Sequence, residues 1–89
     1  MANDRELRTA LKKTASVLAS RELTETEADR LLETFKTTSG TSFERAIQVL
    51  TEATRLSRHE IMAKSAASDN TDRTMKDLND TITNWRPGP

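Results

Sequence analysis

A characteristic helix start lies near the middle of this chain, in the stretch Leu56-Ser57-Arg58-His59-Glu60-Ile61. The spacing is that of a capping box, in which the Ser57 hydroxyl accepts from the Glu60 amide and the Glu60 carboxylate accepts from the Ser57 amide. Leu56 and Ile61 have the spacing of a hydrophobic staple, which fixes how the chain enters the helix. Since no Gly or Pro interrupts residues 41–67, they could also form one helix, but the capping box favours a break at Ser57.

The same capping pattern occurs twice more, in Thr24-Glu25-Thr26-Glu27 and in Thr41-Ser42-Phe43-Glu44. Apolar residues recur every three or four positions in residues 4–20, 24–38 and 41–67, which is the period of an amphipathic helix. The sequence therefore predicts an all-α protein, with four to five short helices in a small orthogonal or bundle-like domain.

The composition argues against an enzyme. The chain has no cysteine, two glycines and one histidine, His59. Ser57 and Glu60 are next to His59 along a helix, and side chains so close in sequence point in different directions, so no catalytic triad can converge. No carboxylate or second histidine lies three or four positions from His59. We therefore expect no catalytic site, no metal site, no cofactor and no small-molecule substrate.

The chain carries 14 basic and 14 acidic residues, which argues against strong nonspecific nucleic-acid binding but leaves room for a local basic face. Residues 1–21 hold five basic and two acidic side chains, and residues 22–36 hold five acidic and two basic. Two interpretations are open: neighbouring helices with complementary faces, or a basic first helix that binds an acidic partner.

Hydropathy favours a cytoplasmic protein that does not enter a membrane. The sequence has no apolar run of the roughly 18 residues that a membrane span needs. The N-terminus also lacks the apolar core of a signal peptide.

The C-terminal part is predicted to stand apart from the rest. Residues 1–67 are predicted to form the helical core domain, and residues 68–89 a linker, an amphipathic helix and a disordered tail. The small polar residues 65–70 resemble a flexible joint, with the last helix expected from Asp72.

Four apolar residues form a stripe on this last helix: Met75, Leu78, Ile82 and Trp85. The stripe either packs on the chain's own core or binds a protein partner or a second copy of the chain in a homodimer. Because Trp is enriched at binding hot spots, the leading prediction is a small non-catalytic intracellular regulator or adaptor that binds proteins through its helical faces.

The alternative is a DNA-binding regulator that uses residues 47–66. The segment Leu50–Arg58 resembles the helix-turn-helix of many bacterial repressors. This resemblance implies that Arg58, His59 and Lys64 are exposed on a recognition helix and that Arg55 lies near a phosphate. The segment departs from the pattern at three positions: Arg55 replaces the usual turn Gly, Thr51 the usual Ala, and Lys64 an aliphatic core residue.

Overall fold

Five α-helices make up most of residues 2–86, the part of the chain that this computed structural model describes. In chain order they are α1 (Asp4–Ala19), α2 (Glu25–Thr37), α3 (Ser42–Thr54), α4 (Arg58–Ala67) and α5 (Asp69–Asn84). The all-α prediction is confirmed, with the helices packed in a bundle-like domain around one core. The predicted disordered tail begins at Pro87 and lies outside the described residues.

Each helix begins after a residue whose side chain accepts a hydrogen bond from the amide three positions along the chain. These N-cap residues are Asn3, Thr24, Thr41, Ser57 and Ser68. The reciprocal bond of the capping box is formed at Thr24 and at Ser57. Two of the three predicted capping boxes are therefore complete, whereas Thr41 forms only the bond from its hydroxyl.

The predicted linker at residues 65–70 is wrong. Helix α4 continues to Ala67, α5 begins at Asp69, and Ser68 alone separates them. Ser68 caps α5, and the Ser65 hydroxyl in α4 donates to the Asp72 carboxylate in α5 at 3.2 Å. The small polar residues thus form a tight corner, because they satisfy one another's hydrogen bonds.

Helix α1 lies at the centre of the packing and contacts α2, α3 and α5. Its residues Leu7, Leu11 and Ala15 have no exposed surface. Helix α5 packs along α1 and α4, so it completes the same core as the first four helices.

The two ends of the described chain are held together. The Ala2 amide donates to the Asn84 carbonyl at 2.8 Å, and the Trp85 indole donates to an Asp4 carboxylate oxygen at 2.8 Å. This donor lowers the pKa of Asp4 below its usual value. The Trp85 ring also meets Phe35 edge-on, with centroids 5.7 Å apart, so α5 is fixed at its C-terminal end.

Helices α1 and α2 have complementary faces, as the first interpretation of the charge pattern predicts. Lys12 and Arg8 of α1 both pair with Glu25 of α2. Arg21 pairs with Glu27 at 2.6 Å. Lys12, followed by Arg8, lowers the pKa of Glu25 to about 2. Arg21 lowers the pKa of Glu27 to about 2. Much of the charge in residues 1–36 is therefore paired within the chain.

Candidate nucleic-acid interface

Helices α3 and α4 are separate, and a three-residue turn joins them at Arg55, Leu56 and Ser57. The predicted break is confirmed. Ser57 accepts from the Glu60 amide at 3.1 Å, and the Glu60 carboxylate accepts from the Ser57 amide at 3.1 Å. The bond from the Ser57 amide also lowers the pKa of Glu60. The connection therefore has the length and the cap of a helix-turn-helix.

The packing behind this turn follows the helix-turn-helix pattern in part. Leu50 and Ile61 are fully buried, and Leu56 packs partly buried against the same core. Lys64 is exposed, although the repressor pattern has an aliphatic core residue there. Helix α4 packs chiefly against α5 and less against α3, so α5 supplies the support that residue 64 does not.

All four predicted DNA-binding residues are exposed. Arg55 lies in the turn, Arg58 and His59 in the first turn of α4, and Lys64 one turn further along. Within residues 2–86 none of them takes part in an ion pair. None of the four is therefore within ion-pair distance of a carboxylate in these residues, although Lys64 and His59 lie close enough to Glu60 to help lower its pKa.

Arg55 ends α3 in a left-handed backbone conformation, as Ser20 ends α1. Its φ of 62° and ψ of 14° place it in the left-handed region, where an L-residue is less stable by roughly 1–2 kcal/mol. This is the turn position at which the repressor pattern has glycine. The chain thus keeps a long cationic side chain at a position where its backbone favours glycine.

The structure brings two further arginines close to this turn. Arg55 lines a groove of about 580 Å³ between α2 and α3 together with Arg21 and Arg30. On its other side Arg55 lines a smaller cavity together with Arg21 and Lys64. Sequence reasoning missed Arg21 and Arg30, because they lie at least 25 positions before Arg55 and nothing in the local pattern connects them to it.

The groove also contains carboxylates. Glu27 lines it but is paired with Arg21, and the exposed Glu52 lines it from α3. Glu52 forms no ion pair within the described residues. Its negative charge therefore opposes the binding of an anion in the groove.

The predicted protein-binding stripe lies elsewhere, on α5. Leu78, Ile82 and Trp85 are buried in the core, and Met75 packs partly buried against it. Of the two alternatives for the stripe, packing on the chain's own core is the one observed. A partner could reach these residues only if α5 left the core, and protein binding through the stripe stays a prediction.

Neither a metal site nor a membrane span is present in the part of the chain that the structure describes. Residues 2–86 hold no group of three or more His, Asp or Glu side chains placed to bind a metal ion. In the same range no helix is both long enough and apolar enough to cross a bilayer.

Comparison of the chain with protein-family models, with curated proteins and with solved structures found no match. The function proposed below therefore depends on the geometry of this chain.

Proposed function

We propose that this protein is a small non-catalytic cytoplasmic regulator that binds double-stranded DNA through α3, the turn and α4. The observation that carries the proposal is Arg55, which is exposed, lacks a carboxylate partner within residues 2–86, and occupies a left-handed position better suited to glycine. Left-handed residues are common at helix ends, and the uncharged Ser20 ends α1 in the same conformation. What distinguishes Arg55 is that this position carries an exposed guanidinium that forms no ion pair within residues 2–86. A guanidinium that serves an external anion explains why arginine occupies this position.

The other exposed donors fit a recognition helix. In helix-turn-helix proteins the first turn of the second helix enters the major groove. Arg58 begins that turn here, and an arginine can donate two hydrogen bonds to O6 and N7 of guanine. His59 follows with a second polar tip. Arg55 precedes the helix and Lys64 lies in its second turn, and both are proposed to contact phosphates.

The test is the salt dependence of binding to a fluorescent DNA duplex of random sequence, followed by anisotropy. Binding should be detectable at about 50 mM salt. Log affinity should decrease with log salt, and the magnitude of this slope should be smaller by about 0.9 for each phosphate contact removed. We expect Arg58→Gln to weaken binding because it removes a positive charge that attracts DNA. We expect Glu52→Gln to strengthen binding because it removes a negative charge that repels DNA.

Arg73→Gln provides the matched control. Arg73 is an exposed arginine of α5 that lines neither the groove nor the smaller cavity. Its removal changes the net charge as much as Arg58→Gln does. If both variants weaken binding equally, the effect comes from net charge and not from this surface, and the proposal fails. Absence of binding at about 50 mM salt, where phosphate contacts are strong, would also refute it.

Protein binding through the stripe of α5 is the other proposal that follows from the sequence. It requires α5 to leave the core, so that Trp85 exchanges the chain's own core for the surface of the partner. Light scattering, measured from low to high protein concentration for the natural protein and for Trp85→Ala, tests the homodimer version. Dimer formation that Trp85→Ala abolishes is the expected signature, and a protein that stays monomeric contradicts it.

A further inference from the structure

A cavity of about 360 Å³ lies beside the turn, between the ends of α1 and α3 and the second half of α4. We call it the turn cavity. Three cationic side chains line it, Arg21 from the α1–α2 loop, Arg55 from the turn and Lys64 from α4, and none of its lining residues carries a carboxylate. Three separate parts of the chain thus bring positive charge to one depression.

The charge balance of the turn cavity is positive. Helices α1 and α3 both end at its wall, and a helix C-terminus carries roughly half a negative charge, so the two ends together contribute about −1. Arg21 is already paired with Glu27 at 2.6 Å. Arg55 and Lys64 have no such partner within the described residues. Their two charges exceed that of the helix ends. Glu60, four positions before Lys64, interacts with it electrostatically, but its carboxylate accepts from the Ser57 amide and does not line the cavity. The lining itself therefore attracts an anion.

We infer that the turn cavity binds one phosphate group, held between the guanidinium of Arg55 and the ammonium of Lys64. Arginine suits this role because its planar fork can bind two phosphate oxygens, while lysine acts as a point charge. The volume exceeds that of a phosphate and leaves room for the group attached to it. In its DNA form the inference rests on the proposed function: the phosphate is a phosphodiester of the backbone that fixes the position of α4 on the duplex.

The same chemistry could come from a free phosphorylated molecule, so the experiment uses two probes. Inorganic phosphate and a short DNA duplex are titrated separately into ¹⁵N-labelled protein at constant ionic strength, with chloride as the compensating anion. Phosphate should shift the amides of Ser20 and Leu56, which line the turn cavity, in a saturable way. Lys64→Gln should weaken this binding about tenfold, as expected for the loss of a charged hydrogen bond, and Arg73→Gln should not.

The duplex arm separates the two sources. If Lys64→Gln also reduces the salt slope of duplex binding by about 0.9, the cavity binds a backbone phosphate. If phosphate shifts these amides and the duplex does not bind, the site serves a free phosphorylated molecule, and the DNA proposal fails while this inference stands. If the duplex binds, phosphate causes no saturable shift and Lys64→Gln leaves the slope unchanged, the phosphate site is refuted and the DNA proposal stands. A response to neither probe refutes both.

Discussion

Replacing Arg55 by glycine distinguishes the effect of its left-handed backbone on stability from the proposed contact of its guanidinium with DNA. The left-handed backbone of Arg55, with φ 62°, costs an L-residue roughly 1–2 kcal/mol. Glycine avoids that cost but loses about 0.5–1 kcal/mol more conformational entropy on folding. The difference predicts that Arg55→Gly raises the free energy of unfolding by about 0–1.5 kcal/mol, with a midpoint of about 0.75 kcal/mol. At that midpoint the melting temperature of a domain of this size should rise by about 3–6 °C.

The same substitution should weaken binding to DNA. It removes one phosphate contact, so the slope of log affinity against log salt should fall by about 0.9. Arg55→Gly is thus expected to give a more stable protein with weaker binding. Both quantities can be measured on one preparation, by thermal denaturation followed by circular dichroism and by anisotropy of a labelled duplex.

Ser20→Gly is the matched control. Ser20 ends α1 with φ 57°, so glycine should stabilise that position for the same reason. Because Ser20 lines the turn cavity, this control is used for stability alone.

Two results would refute the reasoning about Arg55. If Arg55→Gly lowers the melting temperature while Ser20→Gly raises it, the Arg55 side chain stabilises the fold, and strain is not a sign of function here. If Arg55→Gly stabilises the protein and binds DNA with an unchanged slope, the guanidinium does not contact phosphate.

Three further predictions concern stability. Ser57→Ala should reduce the free energy of unfolding by about 0.5–2 kcal/mol because it removes the cap of α4; a change within error in urea denaturation would mean that the cap is not needed. Trp85→Ala should cost about 3–5 kcal/mol, as for a buried aromatic, and a loss below about 1 kcal/mol would show that α5 is only loosely attached. The pKa values of Glu25 and Glu27 fall from 4.5 to about 2 on folding, so their stabilisation is fully present above pH 4.5 and is lost as the pH falls towards 2. Melting temperatures measured over this range should decline with a shallower slope in Glu25→Gln, and an unchanged slope would contradict the ion-pair assignment.

The helix starts could be predicted from the sequence because their causes are local. The cap at Ser57 needs only its own hydroxyl and the Glu60 residue three positions on, and both bonds form as the spacing indicates. The charges of residues 1–21 and 22–36 also indicate complementary faces, because a short connection brings neighbouring helices together. Predictions of this kind depend on residues that lie close together in the sequence.

The features that the sequence does not predict depend on how separate helices contact one another. Small polar residues around Ser68 predict a flexible linker, but Ser68 caps α5 and the Ser65 hydroxyl donates to Asp72 across the corner. Packing of the α5 stripe on its own core depends on Trp85 reaching Asp4, 81 positions away. Arg21 and Lys64, 43 positions apart in the sequence, likewise line one cavity only in the folded chain.

The zero net charge of the chain is compatible with DNA binding, because some of its charges are paired with one another and others are not. At physiological salt a phosphate responds mainly to charges within about 8 Å, so the local balance matters more than the sum. On the α1–α2 face Glu25 and Glu27 are neutralised by their own ion pairs. Glu60 near the turn keeps its negative charge, with its carboxylate held by the Ser57 amide. The exposed cations at Arg55 and Lys64 then face solvent, with Glu52 as the acidic residue of the groove that no ion pair neutralises within residues 2–86. A neutral chain can therefore present a cationic surface at one turn.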